Sequence, residues 1–229
     1  MTVDVVIPVL NEESAIGLVL AELADPRIRT VWVVDNGSTD RTAEVARVAG
    51  ARVVSEPRRG YGSACLAGLA ACRLSPPDVV LFLHGDHSDF PAEAGLLLDR
   101  IEAGVDLVIG SRNLGGAEAG SLMPVARFGN WLSTRLIRRL YGVSFTDLGP
   151  FRAIRWSALE KIGMVDRDFG WTVEMQVRAA RLGLRCEEVS VRYRARIGTS
   201  KVSGTVRGSY RAGKKILWVI ARDRVLAGR

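Results

Sequence analysis

Short apolar runs recur through the first half of the chain, each followed by a polar turn and a longer stretch with helical spacing. Val3–Val9, Val31–Val34, Ala51–Val54, Asp78–Leu83 and Asp106–Gly110 are runs of this kind. Bulky runs without polar alternation predict strands covered on both faces. Pro8 falls near the end of the first run, where a missing N–H is tolerated. Helices are predicted over Ala15–Ala24, from Ser38 or Thr39 to Ala49, from the Glu56–Gly62 loop through Cys72, and from Pro91 to Ala103. This alternation predicts an α/β fold, a Rossmann-like, mostly parallel sheet flanked by helices.

The pattern changes after Arg112. A Gly/Ala-rich stretch over 113–121, expected to be a mobile loop, precedes a basic amphipathic helix over Met123–Leu140. Tyr141–Ile154 reads as strand or loop. Helices follow over Ser157–Ile162 and Trp171–Leu182, then a strand over Leu184–Tyr193, a polar loop over Arg194–Ser203 and a basic helix over Gly204–Leu226. With no linker and no internal repeat, the expectation is one domain over 1–229 with two halves, 1–112 and 113–229.

Composition narrows the classes. Of 229 residues, 48% are hydrophobic, which suffices for a packed core and argues against disorder. The net charge of +7 suits an anionic partner such as a nucleotide, a phosphate or an acidic membrane surface, and equally suits plain solubility. Nucleic acid is not expected, because aromatic residues are not interleaved with the basic ones as a stacking platform requires. Three cysteines carry no disulfide or zinc spacing; Cys65 and Cys72 lie too far apart on one helix to bridge. No basic leader precedes Val3, and no apolar run approaches the ~20 residues that span a bilayer. A cytoplasmic location, peripheral to the inner membrane face at most, is the expectation.

The candidate chemistry sits where apolar runs end. Val79–Leu83 runs into His84-Gly85-Asp86-His87-Ser88-Asp89, whose carboxylates can bind a hard cation. Ligands in open α/β sheets bind past the carboxyl ends of the strands. The bland alternative is a polar turn with Asp89 capping the next helix. Val31–Val34 likewise ends in Asp35-Asn36-Gly37-Ser38-Thr39-Asp40. Arg58, Arg59, Gly60 and Gly62 open a helix, a setting that suits phosphate.

Taken in order, Val6-Ile7-Pro8 through Asn11-Glu12, Val34–Thr42, Gly85-Asp86, Gly110-Ser111-Arg112, Asp147–Ala153, Trp171–Met175 and Arg196-Ile197-Gly198-Thr199-Ser200-Lys201 form a set. That set resembles family 2 glycosyltransferases of the GT-A fold, and within them is similar to dolichol-phosphate or polyprenyl-phosphate mannose synthases and their bacterial relatives. The resemblance implies roles. Pro8, Asn11, Glu12 and Asp35 would hold base and ribose, with Arg58 and Gly60 near the phosphates. Asp86 would bind Mg2+ or Mn2+ beside the donor diphosphate. Arg112, Arg196, Ser200 and Lys201 would meet phosphate on donor or acceptor, and Trp171 would stack on a sugar or serve as a core aromatic. Asp147 and Glu174 are the candidate bases for a hydroxyl acceptor. Each has a plainer alternative: a turn residue for Asp147, an i,i+4 partner of Arg178 for Glu174. His84 stands where the family carries the first aspartate of its D-x-D metal motif; it is either a ligand or a hydrogen-bonding residue.

The resemblance implies transfer of a sugar from UDP- or GDP-sugar to a polyprenyl-phosphate-like or small hydroxylated acceptor. The alternative, motivated by His84, is a catalytically weak nucleotide-sugar-binding homologue acting as a partner or scaffold. A sugar-phosphate nucleotidyltransferase is disfavoured, because Asn11-Glu12-Glu13 stands where a Gly-rich phosphate loop belongs. Around Ile216–Ile220, Arg207, Arg211, Lys214, Lys215, Arg222 and Arg224 suit packing, a subunit contact in a homodimer, or an anionic membrane surface.

Overall fold

The computed structural model describes residues 1–198 and 206–227. The apolar runs form β1 (Val3–Val9), β2 (Ile28–Asp35), β3 (Arg52–Ser55), β4 (Val79–Phe82) and β5 (Leu107–Ser111). Between them lie α1 (Ile16–Ala21), α2 (Thr42–Val48), α3 (Tyr61–Cys72) and α4 (Ala94–Glu102). The second half adds α5 (Arg112–Gly115), α6 (Pro124–Tyr141), β6 (Arg152–Arg155), α7 (Trp156–Ile162), α8 (Trp171–Arg181), β7 (Cys186–Ser190) and α9 (Val206–Ala227).

The strands form one sheet in the order β3-β2-β1-β4-β6-β5-β7. All neighbours are parallel except β6, which runs antiparallel to both β4 and β5. The segment read only as strand or loop therefore supplies a wedge in the middle of the sheet, and β5 lies one strand away from β4. Successive residues of each strand face opposite layers. Val6, Val34, Val80 and Phe82 pack under α3, α7, α8 and α9, whereas Val5, Ile7, Val33 and Leu81 pack under α1, α2 and α4. Burying side chains such as Leu81 and Phe82 completely contributes about 1.5–3 kcal/mol each. The Gly/Ala-rich stretch begins as α5, capped by Ser111, and then bridges to Tyr193 through Ala117. Cys65 and Cys72 are buried free thiols.

Candidate active site

The ends of β1 and β2 are tied together by their own polar side chains. Asn11, at φ 54°, accepts from the Thr39 N–H at 2.8 Å, and its own N–H donates to Ser38 Oγ at 2.9 Å. Asp35 accepts from the Ser38 N–H at 2.9 Å. Asn36 reaches the next loop, donating to the carbonyls of Glu56 and Arg58 at 2.8 Å and accepting from the Gly60 N–H at 2.9 Å. Pro8, Leu10, Glu12, Asn36, Arg59 and Gly60 line one end of a cleft of about 620 Å3. Asn11 and Asp35 are not among its lining residues; they shape the turns that carry the lining. Arg59, not Arg58, faces the cleft, and Arg58 contributes a carbonyl to Asn36.

The turn after β4 forms the cleft's middle. Gly85 is required there, since a Cβ would come 2.5 Å from Val9 Cγ1. Asp86 is 4% exposed; its Oδ1 accepts from Ser88 N and Oγ at 3.1 and 2.5 Å, and its Oδ2 lies 2.9 Å from Arg196 Nη1. Burial opposes the charge of Asp86, but His84, Arg196 and the Ser88 hydrogen bonds outweigh it and hold the carboxyl below its ordinary pKa. Asp89 accepts from the His84 N–H at 3.0 Å, and His87 Nε2 pairs with Glu22 Oε1 at 2.8 Å. Neither lines the cleft. The Arg194–Ile197 segment is laid across this turn by two backbone bonds, Arg194 N to Ser88 O and Ile197 N to Asp86 O, each 3.0 Å.

Among the described residues no cluster of three or more His, Cys, Asp or Glu could hold a metal. Asp86 and His84 nevertheless share the cleft, and His84 Nδ1 is buried without a hydrogen-bond partner. One carboxylate and one unpartnered imidazole nitrogen fit a divalent ion whose remaining ligands are diphosphate oxygens and water.

On the far side, Arg112 binds Asp147 in a fork, Nε to Oδ2 and Nη2 to Oδ1 both at 2.7 Å, and lies 5.0 Å over the Tyr193 ring. Burial opposes the charge of Arg112, and Asp147 more than offsets it, so its pKa is raised. Arg112 lines the cleft, whereas Asp147 stands behind it. The Asp147–Pro150 loop is fixed by Arg152, fully buried, which donates to the carbonyls of Leu148, Gly149 and Thr172. Burial pushes the Arg152 guanidinium down to about 10.

Asp147, held by Arg112 and absent from the cleft lining, is not placed as a base, and Glu174 and Trp171 also depart from expectation. Glu174 is fully buried and does not reach the cleft. Its Oε2 accepts from the N–H groups of Val165 and Asp166 at 3.0 and 2.7 Å, and its Oε1 lies 3.0 and 2.8 Å from Arg178 and Arg222. It is a structural anchor, and the i,i+4 pair with Arg178 is present. Trp171 is 1% exposed and packs edgewise on Phe82 at 6.0 Å, so no face is open to a sugar. Arg196 lines the cleft, while Ser200 and Lys201 lie outside the described residues.

The sequence reading missed the Asp166–Gly170 loop, which brings Asp168 and Phe169 to the cleft, and it missed Thr172, Ala212 and Ile216. Asp166 Oδ1 accepts from the N–H groups of Asp168 and Gly170 at 2.8 and 3.1 Å, and Lys215 Nζ lies 2.8 Å from its other oxygen. The loop docks on the start of α3, where a Cβ at Gly60 or Gly62 would overlap the backbone of Arg167 and Asp166. Two aspartates just before a helix were the available signal.

Residues 4–163 match the family model described as glycosyl transferase family 2. The chain belongs to family 2 of the glycosyltransferases. It is 42% identical over 209 residues to an uncharacterised glycosyltransferase of Mycobacterium tuberculosis, covering 90% of this chain and 92% of that one. It is 36% identical to a dolichyl-phosphate hexose transferase of Haloferax volcanii, covering 96% and 95%. This glycosyltransferase also shares its fold with glucosyl-3-phosphoglycerate synthase from Mycobacterium tuberculosis, solved with Mn2+, UDP-glucose and phosphoglyceric acid. That match has a TM-score of 0.76 at 24% identity, over 97% of this chain and 79% of the other. The fold is accordingly GT-A.

Proposed function

We propose that this glycosyltransferase moves a hexose from a UDP- or GDP-sugar to the phosphate of a polyprenyl-phosphate-like lipid, with Mg2+ or Mn2+ beside the donor diphosphate. The observation that carries this reading is the mixed character of one cleft: the guanidinium groups of Arg112 and Arg196 share it with apolar groups of Leu148, Pro150, Phe169, Ala212 and Ile216. Cations suit a phosphate, and the apolar groups suit the chain attached to it. A dolichyl-phosphate hexose transferase among the relatives supports the same acceptor class.

In this reading the half over 1–112 holds the donor and the half over 113–229 receives the acceptor. Pro8, Glu12 and Asn36 hold base and ribose, with Asn11 and Asp35 setting their turns. Arg59 and Gly60 approach the phosphates. Asp86 and His84 would hold a divalent ion, which supplies charge neutralisation to the leaving diphosphate. An oxygen of the acceptor phosphate forms the bond to the anomeric carbon as the bond from that carbon to the β-phosphate oxygen breaks. The nucleoside diphosphate leaves with the electron pair. The acceptor oxygen is already ionised, so no proton is abstracted. Arg112, at the junction of the two halves and steadied by Asp147, and Arg196 orient the acceptor phosphate.

The test is calorimetric titration of UDP and GDP with Mn2+ into the wild type and Asp86→Ala, followed by a donor screen with a short-chain polyprenyl phosphate. Metal-dependent binding that Asp86→Ala abolishes is expected. A wild type that binds neither nucleotide with metal sinks the proposal. Asp168 favours a second reading, a small hydroxylated acceptor, because its half-buried carboxylate lines the cleft and could take the hydroxyl proton.

A further inference from the structure

The start of α6 stands clear of the protein body. Every residue from Met123 to Phe128 is exposed, and the helix becomes buried only at Ser133, Thr134 and Ile137. Scattered exposed apolar side chains are ordinary on a protein surface, but a cluster is not. Here Phe128 and Trp131 are 60% and 50% exposed, with ring centroids 5.7 Å apart. They lie three residues apart on one helical face, which continues through Arg135 and Arg138. The Arg135 guanidinium sits 5.3 Å over the Trp131 ring. Over its whole length α6 carries four arginines and no carboxylate.

We propose that this face of α6 rests on an anionic lipid bilayer, with Phe128 and Trp131 entering the headgroup region and the arginines meeting lipid phosphates. Tryptophan, an aromatic ring with a polar handle, favours the membrane–water boundary, phenylalanine adds apolar area, and a helix with basic residues around an apolar face binds in plane. Charge decides against a second copy of this chain. A two-fold contact would set the arginines of one α6 against those of the other, with no acidic residue on the helix to relieve them. A bilayer rich in anionic lipid supplies the missing countercharge. No helix among the described residues is long and apolar enough to cross a membrane, so attachment through this face is peripheral.

Asn130 ties the helix to a loop that lines the cleft. Asn130, between the two aromatic positions, donates to Thr146 O at 2.9 Å and accepts from the Leu148 N–H at 2.8 Å. It thereby fixes the loop bearing Asp147, Leu148 and Pro150. The docked helix would hold that loop, and the cleft it lines, close to the lipid surface. This surface extends the transfer reaction proposed above and does not depend on the donor.

The experiment is co-sedimentation of the full chain with phosphatidylcholine vesicles containing phosphatidylglycerol, without nucleotide or polyprenyl phosphate. Binding is expected to rise with phosphatidylglycerol and to weaken with salt. The double variant Phe128→Ser/Trp131→Ser is expected to lose about tenfold in partitioning, and Arg127→Gln/Arg135→Gln/Arg138→Gln a similar amount. Leu74→Ser, an exposed apolar site elsewhere, should leave binding unchanged. An unchanged melting temperature of each variant checks that the fold survives. A wild type that ignores anionic vesicles at low salt overturns the proposal, as does wild-type binding by both α6 variants. Sedimentation showing a dimer that Phe128→Ser/Trp131→Ser dissociates would assign the face to a second copy and also overturn it. None of these readings uses the transfer reaction, so its failure would be seen separately.

Discussion

Arg196 Nη1 lies 2.9 Å from Asp86 Oδ2, so the carboxylate assigned to the divalent ion is neutralised by a guanidinium in the same cleft. The Arg194–Ile197 segment delivers that guanidinium through its backbone bonds to Ser88 and Asp86. In the proposed reaction Arg196 would compete with the metal for Asp86 until the acceptor phosphate draws it away. Arg196→Ala should tighten Mn2+ binding in the absence of nucleotide by about tenfold, since a hydrogen bond to a charged group is worth about 1.5–3 kcal/mol. The same variant should slow transfer, because the phosphate then loses a cation. Calorimetry with Mn2+ alone and a nucleotide-release assay measure the two effects. Unchanged metal affinity would show that the pair does not gate the site.

Glu174 is buried behind the cleft and reaches it only through other residues. Its carboxylate fixes the N–H groups of Val165 and Asp166, Asp166 fixes Asp168 and Gly170, and Asp168 lines the cleft. Removing one partner from a fully buried charge network is expected to cost about 3–5 kcal/mol of stability. Glu174→Ala should accordingly lower the melting temperature sharply. Turnover per folded molecule should fall only modestly, and its pH profile should keep the wild-type shape. A shifted pH profile without a stability loss would restore Glu174 as a base.

How far the sequence predicts this protein differs between strand ends and loops. Val3–Val9 and Val79–Phe82 are readable because both faces are covered, which leaves an unbroken apolar run. β6 is not readable that way: it is Arg-Ala-Ile-Arg, and its first arginine is buried only because carbonyls of the Asp147–Pro150 loop and Thr172 receive it. Pro8, Glu12, Gly60, Asp86, Arg112 and Arg196 reach the cleft from recognisable local motifs. Trp171 and Thr172 illustrate a different limit, since one step along a helix turns a side chain by about 100° and decides between core and cleft. Phe169 and Ile216 arrive by packing between remote segments, for which no local pattern exists.

The turn that carries Asp86 is also braced from outside. Glu22 accepts from Arg194 at 2.9 Å and pairs with His87 at 2.8 Å, joining α1 to the turn after β4 and to the segment holding Arg196. Burial raises the Glu22 carboxyl, but hydrogen bonds from Arg194 and His87 outweigh that and leave it below 4.5. A depressed carboxyl contributes stability above its unfolded pKa and loses it as pH falls through the folded value. Wild-type melting temperature should therefore drop more steeply than that of Glu22→Gln between about pH 5 and pH 3. Parallel melting curves over that interval would mean the brace contributes nothing.

Asp168 separates the two acceptor classes. Its backbone is fixed by Asp166, yet none of the described residues pairs with its carboxylate, which stands in a cleft with Arg59, Arg112 and Arg196. A hydroxyl acceptor must lose a proton during transfer, and a positioned base contributes about 10²–10⁴-fold to such a step. A phosphate acceptor needs no base and is repelled by a nearby carboxylate. Asp168→Asn should thus leave polyprenyl-phosphate transfer within about threefold of wild type, with acceptor KM lowered by the loss of a like charge. With a small hydroxylated acceptor the same variant should lose kcat by about 10²–10⁴-fold. Because the side chain is isosteric, melting temperature should not move, and the kcat-against-KM split reads the chemistry alone. A large kcat loss with the lipid phosphate would place Asp168 in the reaction itself and count against the phosphate as an unassisted nucleophile.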